Sequence, residues 1–164
     1  MIVLVMGVTG SGKSTIARLL AERLAWEFVE ADDYHSPASR EKMHQGIPLT
    51  DADRFPWLAA IHSELVRLDS VGKNVVLACS ALKDDYRQRL LSGLPAMVVY
   101  LKGSPELMRL RLKGRTGHFA GDSILADQFA VLEEPQDALI VDDAATPEQI
   151  VTEIVERMKD EASV

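Results

Sequence analysis

Residues 1–15 read MIVLVMGVTGSGKST, and the fold turns on them. An apolar run, Ile2 to Met6, gives way directly to three glycines, a lysine and several hydroxyl residues. A short run rich in Val and Ile that stops at glycine has the signature of a buried strand. The continuation GVTGSGKS fits G-x-x-x-x-G-K-[ST], with Gly7, Gly12, Lys13 and Ser14 at the fixed places. Each residue type has its own physical reason. Glycines let backbone N–H groups turn inward around phosphate oxygens, and the helix that follows adds the positive end of its dipole. Lys13 reaches the β and γ phosphates, and the Ser14 hydroxyl ligates magnesium. Gly7, Thr9, Gly10, Ser11, Gly12, Lys13, Ser14 and Thr15 thus read as a cradle for a nucleoside triphosphate. The alternative, a glycine-rich turn with an exposed lysine, is disfavoured by the position between a predicted strand and a predicted helix.

Four further apolar runs follow: EFVEA at 27–31, NVVLA at 74–78, AMVVYL at 96–101 and ALIVDD at 138–143. The segments between them have helical period. Ile16, Leu19, Leu20 and Leu24 share one face, as do Trp57, Leu58, Ile61, Leu65 and Leu68. Near the C-terminus Thr146 and Gln149 form a capping-box pair, Pro147 suits the first helical position, and Ile150, Val151, Ile154, Val155 and Met158 make one stripe. Alternating strand and helix predicts an α/β domain with a parallel sheet.

The chain of 164 residues fits one domain, residues 1–164. A net charge of -7 disfavours general affinity for nucleic acid or an anionic membrane, so a bound anion must be held by a local cluster. Cys79, the single cysteine, has no partner for an internal disulfide. The opening apolar run is too short for a membrane span and lacks the basic start and cleavage site of a signal peptide, which points to a cytoplasmic protein. His35, His44, His62 and His118 have no metal-ligand spacing, leaving nucleotide-bound magnesium as the expected metal.

Two segments break the alternation. Residues 32–56 are polar and hold three prolines; residues 113–122, KGRTGHFAGD, hold three glycines and basic or imidazole side chains. Both are expected to be irregular loops carrying function, the second a mobile lid. A GTP-dependent switch would need a guanine-reading N-K-x-D, which is absent, and the D-x-x-G at Asp69–Gly72 precedes a strand instead of following one. A small-molecule kinase needs an acceptor insert after the second strand and a basic late lid, and both segments stand there.

Asp32 and Asp33 are expected at the end of the second strand, beside the first and so near the phosphates. A carboxylate there can orient an acceptor hydroxyl and take its proton, whereas the alternative is turn capping. Arg111 and Arg115 flank the late glycines, where guanidinium groups can cover charge on a transferred phosphoryl group. Gly114 and Gly117 are hinge candidates or simple turn residues.

Together these blocks resemble the gluconate kinase family, small P-loop kinases of the nucleoside-monophosphate and shikimate kinase type. The resemblance rests on GVTGSGKST, DDYH at 32–35, KMHQGIPLTDADRFPWL at 42–58, CSALKDDYR at 79–87, RLKGRTGHF at 111–119, Gln128 and LEEP at 132–135. It implies a three-layer P-loop kinase fold with strand order 2-3-1-4-5, and ATP-dependent phosphorylation of D-gluconate at its terminal hydroxyl, with ATP and magnesium. It further implies Asp32 as the acceptor-side carboxylate and His35, Lys42, Arg54, Lys83 and Arg87 as the lining of the sugar-acid pocket. Arg115 would stand over the γ-phosphate, Arg111 against adenine and His118 toward acceptor or phosphate, with the loop near Pro147 completing the adenine site. A homodimer is implied as well. Lys42, Lys83 and Arg87 also read as solvated helix-face charges, His35 as a turn residue and Trp57 as core. The chain departs from the family pattern at Ser36, Ser39 and Arg40, where a proline and an amide are expected, and at Ala120, Gly121 and Asp127. Two other readings stay open: a kinase of another small acid, and a nucleotide-binding module without transfer activity.

Overall fold

The central apolar runs become strands covered on both faces, while the two edge strands are buried on one face only. In the computed structural model, residues 1–116 and 120–164 are described, and of residues 115, 116 and 120–122 the backbone alone. The strands β1 (Ile2–Met6), β2 (Glu27–Glu30), β3 (Val75–Ala78), β4 (Ala96–Lys102) and β5 (Leu139–Asp142) form one parallel sheet in the order β2-β3-β1-β4-β5. The order is the one implied by the resemblance. The expectation that the second strand lies beside the first is corrected: β3 stands between them, since chain order alone does not set sheet order.

Among the described residues the helices are α1 (Lys13–Leu24), α2 (Pro37–His44), α3 (Asp51–Ser70), α4 (Asp84–Leu91), α5 (Pro105–Thr116), α6 (Ala120–Val131) and α7 (Pro147–Ala162). Strand alternation sorts the core into two layers. Ile2, Leu4 and Met6 of β1 pack with Trp57, Leu58, Ile61, Leu65 and Leu68 of α3 and Leu90 of α4. Val3 and Val5 face the other way, onto Ile16, Ala17 and Leu20 of α1 and Ile150, Val151 and Ile154 of α7. All five side chains of β1, the strand that delivers the glycine loop, are fully buried. Burying each of its larger side chains contributes about 1.5–3 kcal/mol. A third cluster, Val8, Leu82, Met108 and Leu125, ties the glycine loop to α5 and α6.

The segment 32–56 is more regular than expected. It contains most of a 3₁₀ turn (Ala31–Tyr34), all of α2 and the start of α3. Its prolines do not exclude helix: Pro37 stands at the start of α2, where a missing N–H costs nothing, and Pro56 lies inside α3. Residues 113–116 likewise continue α5, and 120–122 begin α6; residues 117–119 lie outside the described residues. No helix among the described residues is long and apolar enough to cross a membrane.

Candidate active site

The C-terminal ends of β1, β2 and β3 meet beneath the start of α1. Gly12 caps α1 in the left-handed region, φ 78°, and among the described residues no side chain caps the free N–H groups of its first turn. These donors and the positive helix end are what an anion requires. Glycine at position 7 has a steric cause, since a Cβ there would come within 2.6 Å of the buried Ser11 Oγ. Lys13, Ser14 and Thr15 form the first turn of α1, with Lys13 and Ser14 half-buried and Thr15 exposed.

Glu30, at the end of β2, is a residue that the sequence reading missed. The Ser14 hydroxyl donates to its carboxylate, Oγ to Oε2 at 2.6 Å, across the width of β3. Its other oxygen lies 3.5 Å from the Asp32 backbone N. Cys79, buried just past β3, senses the whole group: burial pushes its thiol up to about 12, while Lys13 acts to lower it and Asp32 and Glu30 to raise it. Hydroxyl and carboxylate oxygens are the hard donors that magnesium takes. Among the described residues no group of three or more His, Cys, Asp or Glu is placed to hold a metal.

Asp32 sits in the 3₁₀ turn with its side chain 76% exposed, and His35 Nε2 lies 3.8 Å from its Oδ1. The His35 ring stacks on Trp57, centroids 4.3 Å apart, and its buried Nδ1 has no hydrogen-bond partner among the described residues. Burial holds His35 below its ordinary value, against the pull of Asp32. Asp33 is exposed and contributes a carbonyl to Arg40.

Arg54 and Lys83 converge on Tyr86, a residue that sequence reasoning did not single out. Arg54 donates to the phenol oxygen at 3.4 Å, Lys83 Nζ stands 5.5 Å from the ring centroid, and the phenol donates to Asp51 at 2.6 Å. The structure uses two other expected pocket residues differently. Lys42 pairs with Asp53 at 2.8 Å, holding that carboxyl at about 2, its hydrogen bond from Lys42 being the largest cause. Arg87 is buried and donates to the carbonyls of Ala81, Leu82 and Glu133. Ala81 has φ 44°, a strained left-handed conformation for a residue with a Cβ, and Arg87 fastens it.

Arg111 lies against the loop. Its guanidinium donates to Gly10 O and Ser11 O, each at 3.4 Å, and to Asp143 Oδ2 at 2.7 Å, with a further bond to Asp143 O. Thr9 N donates to Gln128 Oε1 of α6 at 2.6 Å. Pro147 is an exposed first residue of α7, behind a Thr146–Gln149 capping box. The Arg115 side chain and His118 lie outside the described residues.

A glycine loop between a buried strand and an uncapped helix, a serine–carboxylate pair beside it and an exposed aspartate on the neighbouring turn define a P-loop phosphotransferase. Comparison with known proteins narrows the class. Residues 2–135 match a family described as an AAA domain. The chain is 47% identical over 152 residues to a probable gluconokinase of Mus musculus, covering 82% of this chain and 83% of that protein. It is 44% identical over 161 residues to a gluconokinase of Gluconobacter oxydans, covering 96% and 90%. A crystal structure of a gluconokinase from Sinorhizobium meliloti superposes with a TM-score of 0.83 at 38% identity, covering 97% of this chain and 95% of the other. The chain belongs to the gluconokinase family.

Proposed function

We propose that this protein transfers the γ-phosphoryl group of ATP to the terminal hydroxyl of D-gluconate, giving 6-phosphogluconate and ADP. The observation that carries the reading is the 2.6 Å hydrogen bond from Ser14 to Glu30, whose other oxygen lies 3.5 Å from the Asp32 backbone N, beside a loop whose α1 amides have no side-chain cap among the described residues. Phosphoryl transfer asks the protein chiefly to position and to neutralise. Lys13 and the loop amides hold the triphosphate. Magnesium, when bound with the nucleotide, supplies charge neutralisation at the β and γ oxygens, and Ser14 is the group that would hold it. Asp32 orients the acceptor hydroxyl and accepts its proton as the oxygen–phosphorus bond forms and the bond to the ADP oxygen breaks.

His35, Arg54 and Lys83 line the acceptor side. A hydrated polyhydroxy carboxylate needs such a dense polar lining, with a guanidinium available for bidentate pairing. Lys42 and Arg87 act there through the groups they hold, Asp53 and the strained Ala81 loop. Arg111 and the Pro147 end of α7 form the adenine side, and Arg115 and His118 are assigned to the transferred phosphoryl group.

ADP release measured with gluconate, other sugar acids and shikimate tests the reading. Stimulation by gluconate is expected; stimulation by another acid alone would reassign the acceptor, and none by any acid would leave a nucleotide-binding module. Lys13→Ala and Asp32→Asn should each lower turnover by about 100-fold or more with unfolding unchanged.

A further inference from the structure

The turn that carries Asp32 is too short to satisfy its own carbonyls. Side chains from the acceptor insert take them instead. Trp57 Nε1 of α3 donates to Ala31 O at 2.7 Å. Arg40 of α2 donates three times, NH2 to Asp32 O at 3.3 Å and to Asp33 O at 3.1 Å, and Nε to His35 O at 3.3 Å. One guanidinium therefore spans the turn from Asp32 to His35.

We propose that Arg40 is a positioning residue, which fixes the backbone of residues 32–35 and thereby aims the Asp32 carboxylate at the acceptor hydroxyl. The inference rests on the assignment of Asp32 as the acceptor-side carboxylate. Arg40 is exposed, so its three bonds compete with water and contribute little to global stability. Their geometric effect is larger, because a displacement of about 1 Å at a reacting group can cost about 100-fold in rate. Trp57 is 7% exposed within the α3 core, so its removal would disturb packing as well as the turn; Arg40 can be changed alone. The planar fork matters too. A lysine ammonium supplies point charge but does not match several carbonyls at fixed angles.

The test uses the full chain with Arg40→Met, Arg40→Lys and Asp32→Asn. Arg40→Met should lower kcat by about 10-fold or more, leave KM for ATP and for gluconate within about twofold, and keep the melting temperature near that of the wild type. Arg40→Lys should recover part of the loss. Wild-type kcat in Arg40→Met, with Asp32→Asn inactive, overturns the inference alone, as does a rise in gluconate KM at unchanged kcat, which would make Arg40 a substrate contact. A melting temperature that falls in step with kcat overturns it in favour of a structural role. A fully active Asp32→Asn enzyme removes the assignment on which it rests.

Discussion

Ser14 and Glu30 are joined by a 2.6 Å hydrogen bond although β1, which leads into the Ser14 loop, and β2, which ends at Glu30, are not neighbours. The bond keeps the serine proton on the carboxylate side and leaves a lone pair of the hydroxyl free for a cation. Partners of this kind tune the ligand they touch, and their loss typically costs 10–100-fold in metal affinity or activity. Glu30→Ala should therefore raise the magnesium concentration needed for half-maximal turnover by about 10-fold, while Glu30→Gln, which still accepts through its amide oxygen, should lose less. Titrating activity against free magnesium at fixed ATP decides it; identical curves for wild type and Glu30→Ala would remove Glu30 from the site.

Asp143 is 1% exposed beside Arg111, and burial pushes its carboxyl up to about 6 despite that guanidinium. A folded value above the unfolded one means that the unfolded chain releases this proton first. The contribution is fully present below about pH 4 and is lost as pH rises through about 6. Asp143→Asn cannot titrate. The stability of wild type minus that of Asp143→Asn, from urea unfolding at each pH, should fall between about pH 4 and about pH 6 and level off above. A difference that rises across the window would mean that Arg111 outweighs burial.

Cys79 lies 1% exposed just past β3, with its thiol pushed up to about 12 by burial. Only the thiolate reacts with alkylating reagents. At pH 8 the native protein should be labelled at the rate of its opening, and ATP with magnesium should slow labelling further by favouring the closed state. Labelling as fast as that of a free thiol peptide would contradict the burial.

The fold was legible because its signals were local and redundant. Ile2 to Met6 is apolar at every position, as a strand buried on both faces must be, and Thr146, Pro147 and Gln149 mark a helix start by short-range chemistry. Residues 32–56 were harder. Pro56 reads as a helix breaker, yet the Thr50–Asp53 capping box and the apolar face from Trp57 onward carry α3 through it. The phosphate loop could be read because its residues are adjacent in sequence. Glu30 and Tyr86 could not, since a lone strand-end glutamate and a helix-face tyrosine gain meaning only when β2 and α4 dock beside their partners. Arg87 shows the same limit: no sequence pattern announces that a helix-face arginine turns inward to fasten a strained alanine.

Gln128 sets the shape of the loop from a distance of 119 residues in sequence, accepting from Thr9 N at 2.6 Å. Arg111 holds the Gly10 and Ser11 carbonyls, and a Cβ on Gly10 would meet Met108 O of α5 at 3.3 Å. The first half of the loop is thus moulded by α5 and α6, while the amides at the start of α1 stay free for phosphate. Gln128→Leu leaves the Thr9 N–H without its acceptor, and the loop must then be ordered by the nucleotide itself. A loss of about 1.4 kcal/mol in binding, tenfold in Kd for ATP, is expected. Gln128→Glu keeps an acceptor but sets a negative charge near the triphosphate, so its affinity should fall more at low salt than at high salt. Calorimetric titration with ATP and amide exchange at Thr9 separate the two variants: exchange should quicken in Gln128→Leu and stay slow in Gln128→Glu. Wild-type ATP affinity together with unchanged Thr9 exchange in Gln128→Leu would show that α6 does not shape the loop.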